Sequence, residues 1–325
     1  MYKTLVYKTL VSKTLVSKTL ASKTLMSKAL AALILAAGTC AALAQSAGNP
    51  AAKGSVVTPV QPDVLKELAP TGKLRAALNL GNGVLVQGSP EDPRGVTVDL
   101  SRELAKRIGV PVQFVTYEAA GKVFEALKSG AWDVAFFAIE PVRAAEVEFT
   151  APYVLIEGTY MVLKDSPLKV VADVDRPGVR IAVGVGSAYD LFLTRNLKHA
   201  MLVRAKTGGG RAMIDLFLDE KLEAAAGVKQ PLVEYAKTDP RVRVMDGRFQ
   251  VIEQAMGTPK GRSAAAKYLR AFVEEMKASG FVADALKRSN QPDAEVAPPA
   301  WLRCPSPRCA GRGPSALGEN QSSAR

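Results

Sequence analysis

Short apolar runs and amphipathic stretches alternate along the chain between about residue 65 and residue 290. Eight of the runs have the character of buried strands: LRAALNL, PVQFVTY, DVAFFAI, GTYMVLK, VRIAVGV, AMLVRA, LEAAAGV and VRVM. Most of them are separated by stretches with helical spacing of apolar residues, such as DLSRELAKRI, KVFEALKSG, AYDLFLTRNL and RAMIDLFLDEKL. The alternation predicts an α/β fold with mainly parallel sheets. Because about 225 residues are more than one sheet usually organises, we expect two lobes.

The pattern differs at the two ends of this region. After Gly257 the sequence predicts two helices without strands, SAAAKYLRAFVEEMKAS and FVADALKRS. Residues 45–70 are predicted to be an N-terminal linker. Residues 291–325 are rich in Pro, Gly and Ser and are predicted to be a disordered C-terminal tail.

The first 44 residues have the features of an export signal. A five-residue repeat places six Lys before an apolar run of 16 residues, ALAALILAAGTCAALA. That run is shorter than the about 20 residues that a transmembrane helix needs. Ala42-Leu43-Ala44 is a small-x-small cleavage site, so we predict a signal peptide cleaved after Ala44 and a periplasmic protein exported by general secretion. A retained membrane anchor and a lipoprotein on Cys40 are the alternatives, and Thr39 disfavours the second.

Charge is concentrated at the two ends. The net charge is +12, of which residues 1–44 contribute +6 and residues 301–325 contribute +3, so residues 45–300 carry only +3. That balance is typical of an ordinary soluble surface, and the sequence predicts no nucleic-acid partner.

Little in the composition indicates covalent or metal chemistry. His199 is the only histidine, which excludes histidine clusters and leaves one residue for any nucleophile system. Cys304 and Cys309 could pair in an oxidising compartment, but two Cys without other ligands do not make a zinc site. We therefore predict no metal and no cofactor. We also expect no enzymatic activity, although residue counts do not exclude a reaction that needs one positioned proton donor.

Two glycine-rich turns are candidates for anion binding. GVGSAY resembles a truncated dinucleotide fingerprint, but Tyr189 stands where the third small residue should be. Free backbone N–H groups at such a helix start still favour an anion. TGGGRAMI repeats the arrangement with Arg211 in the first helical turn. The alternative is that both are glycine-rich turns without a ligand.

At this point the residues resemble a known family. The chain resembles the periplasmic solute-binding proteins of ABC importers, polar-amino-acid type (bacterial extracellular solute-binding family 3). The resemblance is carried by GKLRAALNL, by the stretch from RGVTVDL through LKSGAWDVAF to EPVRAAEVEFTAPY, and by VRIAVGVGSAYDLFL. The resemblance covers about residues 71–290 and implies a two-lobed periplasmic-binding-protein fold, each lobe a mainly parallel sheet flanked by helices. It implies lobe one at 71–160 and 254–290 and lobe two at 161–253. Two hinge crossings are expected near 157–163 and 251–257, with ligand held between the lobes.

The resemblance also implies site residues. The family's carboxylate-binding arginine corresponds to Arg143, whose guanidinium can hold a carboxylate bidentately. Gly186, Ser187 and Ala188 correspond to the donors that the second lobe offers to the same carboxylate. Asp99 matches an acidic position, which we interpret as a helix N-cap.

Three departures from the family pattern affect the ligand. The Asp that holds an amino acid's ammonium is absent, since the sequence there is Gly227-Val228-Lys229-Gln230. The aromatic residue after the first strand is also missing, and the usual hydroxyl-rich strand end is FFAIE. Including the residues that stand at these places, the remaining predicted substrate-binding residues are Asn82, Tyr117, Ala138, Glu140, Arg211 and Lys229.

Two functions remain open. The first is a monomeric binding protein that delivers a small carboxylate-bearing, anionic solute, amino-acid-like or an organic acid, to an inner-membrane ABC permease. The second resembles the periplasmic cyclohexadienyl dehydratases, with Glu140 or Glu118 as general acid. Without the ammonium-binding Asp, we expect a keto, hydroxy or aromatic acid to bind better than its amino-acid counterpart, unless Glu140 takes over the ammonium.

Overall fold

All eight apolar runs form strands in the computed structural model, which describes residues 60–206 and 209–303. The described strands are β1 Leu74–Asn79, β2 Gln87–Gly88, β3 Pro93–Arg94, β4 Val112–Tyr117, β5 Val134–Ala138, β6 Val147–Leu163, β7 Arg180–Gly184, β8 Met201–Ala205, β9 Ala224–Val228, β10 Val242–Val244, β11 Gln250–Pro259 and β12 Glu295–Val296. The described α-helices are α1 Pro62–Leu68, α2 Val96–Ile108, α3 Ala120–Glu125, α4 Pro141–Ala144, α5 Ala188–Asn196, α6 Gly210–Asp219, α7 Lys229–Thr238, α8 Ser263–Ala278 and α9 Phe281–Arg288. Short 3₁₀ turns cover Ala126–Ser129, Val171–Asp173 and Ala300–Arg303.

Two sets of parallel strands are joined by two long antiparallel ones. The order is β4-β1-β5-β11-β6-β9-β7-β8, with β4, β1 and β5 parallel to one another and β9, β7 and β8 parallel to one another. We call the first set, with the helices packed on it, the first lobe, and the second set the second lobe. The predicted two-lobed α/β fold is confirmed. The residue limits given above for the two lobes stay a prediction.

The strand β6 passes from one lobe to the other at Gly158. This residue pairs with Gln250 of β11 on one side and with Val228 of β9 on the other. Beyond it, β6 pairs with β9 and β10 and no longer with β11. The crossing therefore lies where Glu157 and Gly158 face Val251 and Gln250, within the predicted crossing near 157–163 and at the start of the one near 251–257.

Each lobe has its own apolar core. In the first lobe, Leu78 of β1 and Leu104 of α2 pack with Leu269 of α8, so the last helices return to this lobe. In the second lobe, Ile181 and Ala182 of β7 belong to clusters on opposite faces of the sheet. Helices cover both faces, which explains why Ile181, Ala182 and Val183 are consecutive apolar residues and are all buried.

The structure corrects the predictions for both flanking segments. Part of the predicted linker 45–70 is the helix α1, whose Val64 and Leu68 are buried in the first lobe's core. Part of the predicted tail 291–325 is β12, which pairs with β6 and places Val296 opposite Val154. Both elements are too short to show a periodic pattern. The predicted signal peptide and the two cysteines of the tail lie outside the described residues.

Asp99 is not the N-cap of its helix, contrary to the sequence interpretation. Gly95 holds that position with a φ of 114°, a conformation that favours glycine. Asp99 lies in the first turn of α2 and accepts a hydrogen bond of 2.8 Å from Arg288 of α9. It therefore fastens two helices of the first lobe together.

Within 60–206 and 209–303, every helix is too short or too polar to cross a bilayer.

Candidate functional site

A cavity lies between the lobes, where the carboxyl ends of parallel strands from both meet. Asn79 ends β1, Ala138 ends β5, Gly184 ends β7 and Val228 ends β9, and all four line the cavity. The cavity holds about 760 Å³ of space, part of it open to solvent. Crevices at the carboxyl ends of parallel strands are the usual ligand sites of such sheets.

Arg143 is the only charged residue among the described residues that line the cavity. It lies in the short helix α4, which Pro141 begins directly after β5. The residue is 1% exposed, and its guanidinium carbon lies 5.3 Å from the centroid of the Phe137 ring. Burial lowers the pKa of Arg143 to about 10, and the nearby Glu140 opposes this shift. The guanidinium therefore carries its charge at neutral pH.

The guanidinium of Arg143 contacts both lobes. Its Nη1 donates to the carbonyl of Ala138 at 3.1 Å, and its Nη2 donates across the cleft to the carbonyl of Gly186 at 2.8 Å. These acceptors are neutral, so the positive charge has no paired anion among the groups that line the cavity. A carboxylate is the chemical group that fits such a position.

The turn after β7 supplies the second lobe's polar groups. Ser187 is the N-cap of α5, and its hydroxyl oxygen accepts a hydrogen bond of 3.0 Å from the Asp190 N–H. The N–H of Gly186 donates to the Asp190 carboxylate at 2.8 Å. The resemblance implied that Gly186 offers its N–H to a ligand. This is wrong for the present structure, because the Asp190 carboxylate already accepts that N–H. Ser187 and Ala188 do line the cavity.

Asn82 lies in the loop after β1 and lines the cavity from the first lobe. Its side-chain oxygen is buried and has no hydrogen-bond partner among the described residues. Unpartnered buried polar atoms are uncommon and costly in folded proteins. This amide is therefore a candidate ligand contact.

One wall of the cavity is apolar and was not predicted. Its side chains come from α6, α7 and the crossing strand β11: Met213, Ile214, Pro231, Leu232 and Ile252. Met213 and Leu232 close over Gly227, where an added Cβ would lie 3.0 Å and 3.3 Å from their side chains. The apolar spacing of RAMIDLF was the available signal, but it does not distinguish a core face from a cavity face.

Five predicted substrate-binding residues, Gly186 and the four described next, lie outside the cavity lining. Lys229 donates at 2.8 Å to Glu157 of the crossing strand, and Arg211 pairs with Asp215 at 2.7 Å on an exposed helix face. Tyr117 packs at the end of β4 against another cluster of the first lobe. Glu140, with its side chain 2% exposed, forms an ion pair with Arg195. Lys229 and Arg211 do not line the cavity because their long basic side chains pair with nearby carboxylates instead.

The backbones of the two lobes touch at two pairs of glycines. A Cβ added to Gly209 would lie 2.5 Å from the Cα of Gly81, and one added to Gly186 would lie 3.0 Å from the Cα of Gly121. Gly81 and Gly121 belong to the first lobe, whereas Gly186 and Gly209 belong to the second. The lobes are therefore closed over the cavity, at a distance that side chains at these positions would prevent.

Comparisons with known proteins agree with this geometry. The family described as bacterial extracellular solute-binding proteins, family 3, matches residues 85–289. Among solved structures, a solute receptor for L-cysteine from Neisseria gonorrhoeae is 23% identical, with 69% of this chain and 92% of that chain covered and a TM-score of 0.60. The ancestral amino acid-binding protein AncCDT-1, a precursor of cyclohexadienyl dehydratase, is also 23% identical, with coverages of 69% and 98% and a TM-score of 0.58.

A third similar structure is the substrate binding protein of an amino acid ABC transporter, 17% identical, with coverages of 67% and 98% and a TM-score of 0.57. These likenesses show the fold. The family match extends over more than half of the chain and takes in both lobes and their crossing strands. The chain belongs to the bacterial extracellular solute-binding proteins, family 3.

Proposed function

We propose that this protein is the solute-binding component of an ABC importer and that its solute is a small carboxylate without an α-ammonium group. It captures the solute in the periplasm as a monomer and passes it to a membrane permease. The observation that carries the proposal is the buried charge of Arg143, which is 1% exposed and, among the described residues that line the cavity, is the only charged one.

Arg143 can hold a carboxylate without releasing the lobes. A guanidinium has five N–H donors, and the carbonyls of Ala138 and Gly186 occupy two of its nitrogens. The ligand carboxylate uses the remaining donors, and Ser187, which follows Gly186 in the chain, also lines the cavity. The same side chain therefore binds the anion and bridges the closed lobes.

The choice against an ammonium rests on the acids near the cavity. Among its described lining residues none is acidic. Glu140, the expected substitute, faces Arg195 and accepts a hydrogen bond of 3.2 Å from Gln250. An amino acid would bury its ammonium without a counter-charge, at a cost of several kcal/mol.

The dehydratase alternative needs a general acid beside the bound anion. Glu140 is engaged with Arg195, and Glu118 is exposed and outside the lining. The position of neither residue favours proton transfer to a ligand in the cavity. Binding without catalysis is the function that we propose.

Calorimetry with Arg143→Ala tests this function, with 2-hydroxy-4-methylpentanoate as the probe. We expect Arg143→Ala to weaken binding by about 2–5 kcal/mol, because the buried carboxylate loses its partner. Arg211→Ala is the matched control, since Arg211 is 72% exposed and outside the cavity, and it should bind like wild type. Equal affinities for wild type and Arg143→Ala would contradict the proposal.

A further inference from the structure

The composition of the cavity wall describes the part of the ligand that Arg143 does not hold. Met213, Leu232 and Ile252 are each 1% exposed, although all three line the cavity. They lie on α6, α7 and β11, so one apolar surface is assembled from three separate elements. The apolar part of a ligand in the cavity would face these side chains.

A second charge on the ligand would have no partner at this surface. Arg143 is the only charged side chain in the described lining, and its charge is matched by one carboxylate. A distal carboxylate, guanidinium or ammonium would be desolvated against Met213 and Leu232, and burying a charge without a partner is costly. The wall therefore selects against dicarboxylates and against basic side chains as well as against zwitterions.

One polar group of the ligand is nevertheless expected, at Asn82. The buried side-chain oxygen of Asn82 has no partner in the described part of the chain. A hydroxyl group both donates and accepts, so it satisfies an amide in either orientation and adds no charge.

We propose, on the basis of the function proposed above, that the ligand is a monocarboxylate with a compact apolar body and one uncharged hydrogen-bonding group, such as a hydroxyl. Arg143 binds the carboxylate, and Asn82 forms a hydrogen bond with the hydroxyl. The apolar body packs against the wall formed by Met213, Leu232 and Ile252. Branched or aromatic hydroxy acids belong to this class.

Four probes of similar size separate this proposal from the function on which it rests. They combine two head groups with two tails: 2-hydroxy-4-methylpentanoate, leucine, 2-hydroxyglutarate and glutamate. We expect 2-hydroxy-4-methylpentanoate to bind more tightly than 2-hydroxyglutarate by about tenfold or more, because the distal carboxylate of 2-hydroxyglutarate would be buried without a partner. Equal or tighter binding of 2-hydroxyglutarate overturns the proposal but leaves a carboxylate receptor. Tighter binding of leucine than of its hydroxy acid contradicts the absence of an ammonium site, and failure of all four to bind rejects both.

Substitutions then locate the two contacts. Met213→Ala should weaken 2-hydroxy-4-methylpentanoate by about tenfold and leave lactate unchanged, because lactate is too short to cover the wall. Met201→Ala is the matched control, since Met201 is 57% exposed and outside the cavity.

Asn82→Ala should abolish the preference for the hydroxy acid over 4-methylpentanoate, which lacks the hydroxyl. Retention of both preferences in these variants, with unchanged melting temperatures, would overturn the assignment.

Discussion

The carboxylate of Glu140 lies 2.5 Å from the guanidinium of Arg195, and the two residues belong to different lobes. Glu140 follows β5 in the first lobe, whereas Arg195 is in α5 of the second. Gln250 of the crossing strand β11 also donates to Glu140. The acid that was expected to take over a ligand's ammonium instead joins the lobes.

Glu140→Gln should therefore favour the open arrangement of the lobes. The buried carboxylate supplies the charge that attracts Arg195, so we expect a double-mutant cycle of Glu140→Gln and Arg195→Gln to give about 1–3 kcal/mol of coupling in ligand affinity. Small-angle scattering without ligand should show a larger radius of gyration for the variant. Asp99→Asn is the control, because Asp99 pairs with Arg288 inside one lobe. Additive effects on affinity would show that the pair does not assist closure.

Gly209→Ala should weaken ligand binding by about 1–3 kcal/mol, since the added methyl group would overlap the backbone of Gly81 and hold the lobes apart. The adjacent variant Gly210→Ala is a close control. It also lines the cavity, but its Cβ would meet nothing within 4 Å. Calorimetry on the two variants compares them directly, and equal affinities would contradict a steric limit at this contact.

Val228→Asp should convert the site toward amino acids. Val228 lines the cavity at the N-cap of α7, where Asp is a favourable residue. The new carboxylate would pair with an ammonium, so leucine should gain roughly 3 kcal/mol of binding free energy while 2-hydroxy-4-methylpentanoate loses affinity. Val228→Asn keeps the shape without the charge and should not produce this gain. The same two ligands, titrated against each variant, measure the effect.

The crossing strand predicts a pH dependence of stability. Hydrogen bonds from Lys229 and Arg248 hold the pKa of Glu157 below its ordinary value of 4.5. A carboxylate with a lowered folded-state pKa stabilises the fold fully above the unfolded pKa and loses this effect as the pH falls through the folded pKa. Glu157→Gln should thus cost up to about 1 kcal/mol at pH 7 and progressively less below pH about 4.5. Denaturant unfolding of wild type and Glu157→Gln, at pH 7 and below pH about 4.5, measures this difference, and an equal cost at both would contradict the prediction.

Much of the scaffold could be predicted from the sequence because buried parallel strands are continuously apolar. In VRIAVGV, the consecutive apolar residues Ile181, Ala182 and Val183 are covered by helices on both faces, and this pattern predicted the strand. Short elements such as α1 and β12 were missed, because they are stabilised by contacts with α8 and β6 and have no periodic pattern of their own.

The candidate site was only partly predictable. Arg143 was predicted through the family resemblance of its segment and does line the cavity, while its role as the carboxylate ligand stays a prediction. Lys229 and Arg211 were misplaced because the direction of a long side chain depends on carboxylates elsewhere in the chain, Glu157 in the first case. Met213 and Leu232 were missed because a cavity wall and a core face have the same sequence pattern.

The glycine contacts also bear on how a transporter would distinguish loaded from empty receptor. Main chain meets main chain at Gly81 with Gly209 and at Gly121 with Gly186, so the angle between the closed lobes is set by backbone geometry and not by the size of the cargo. A permease that contacts both lobes would then meet the same surface whichever solute is enclosed. Discrimination among solutes would be complete before docking, at the moment when the cargo allows the backbones to meet.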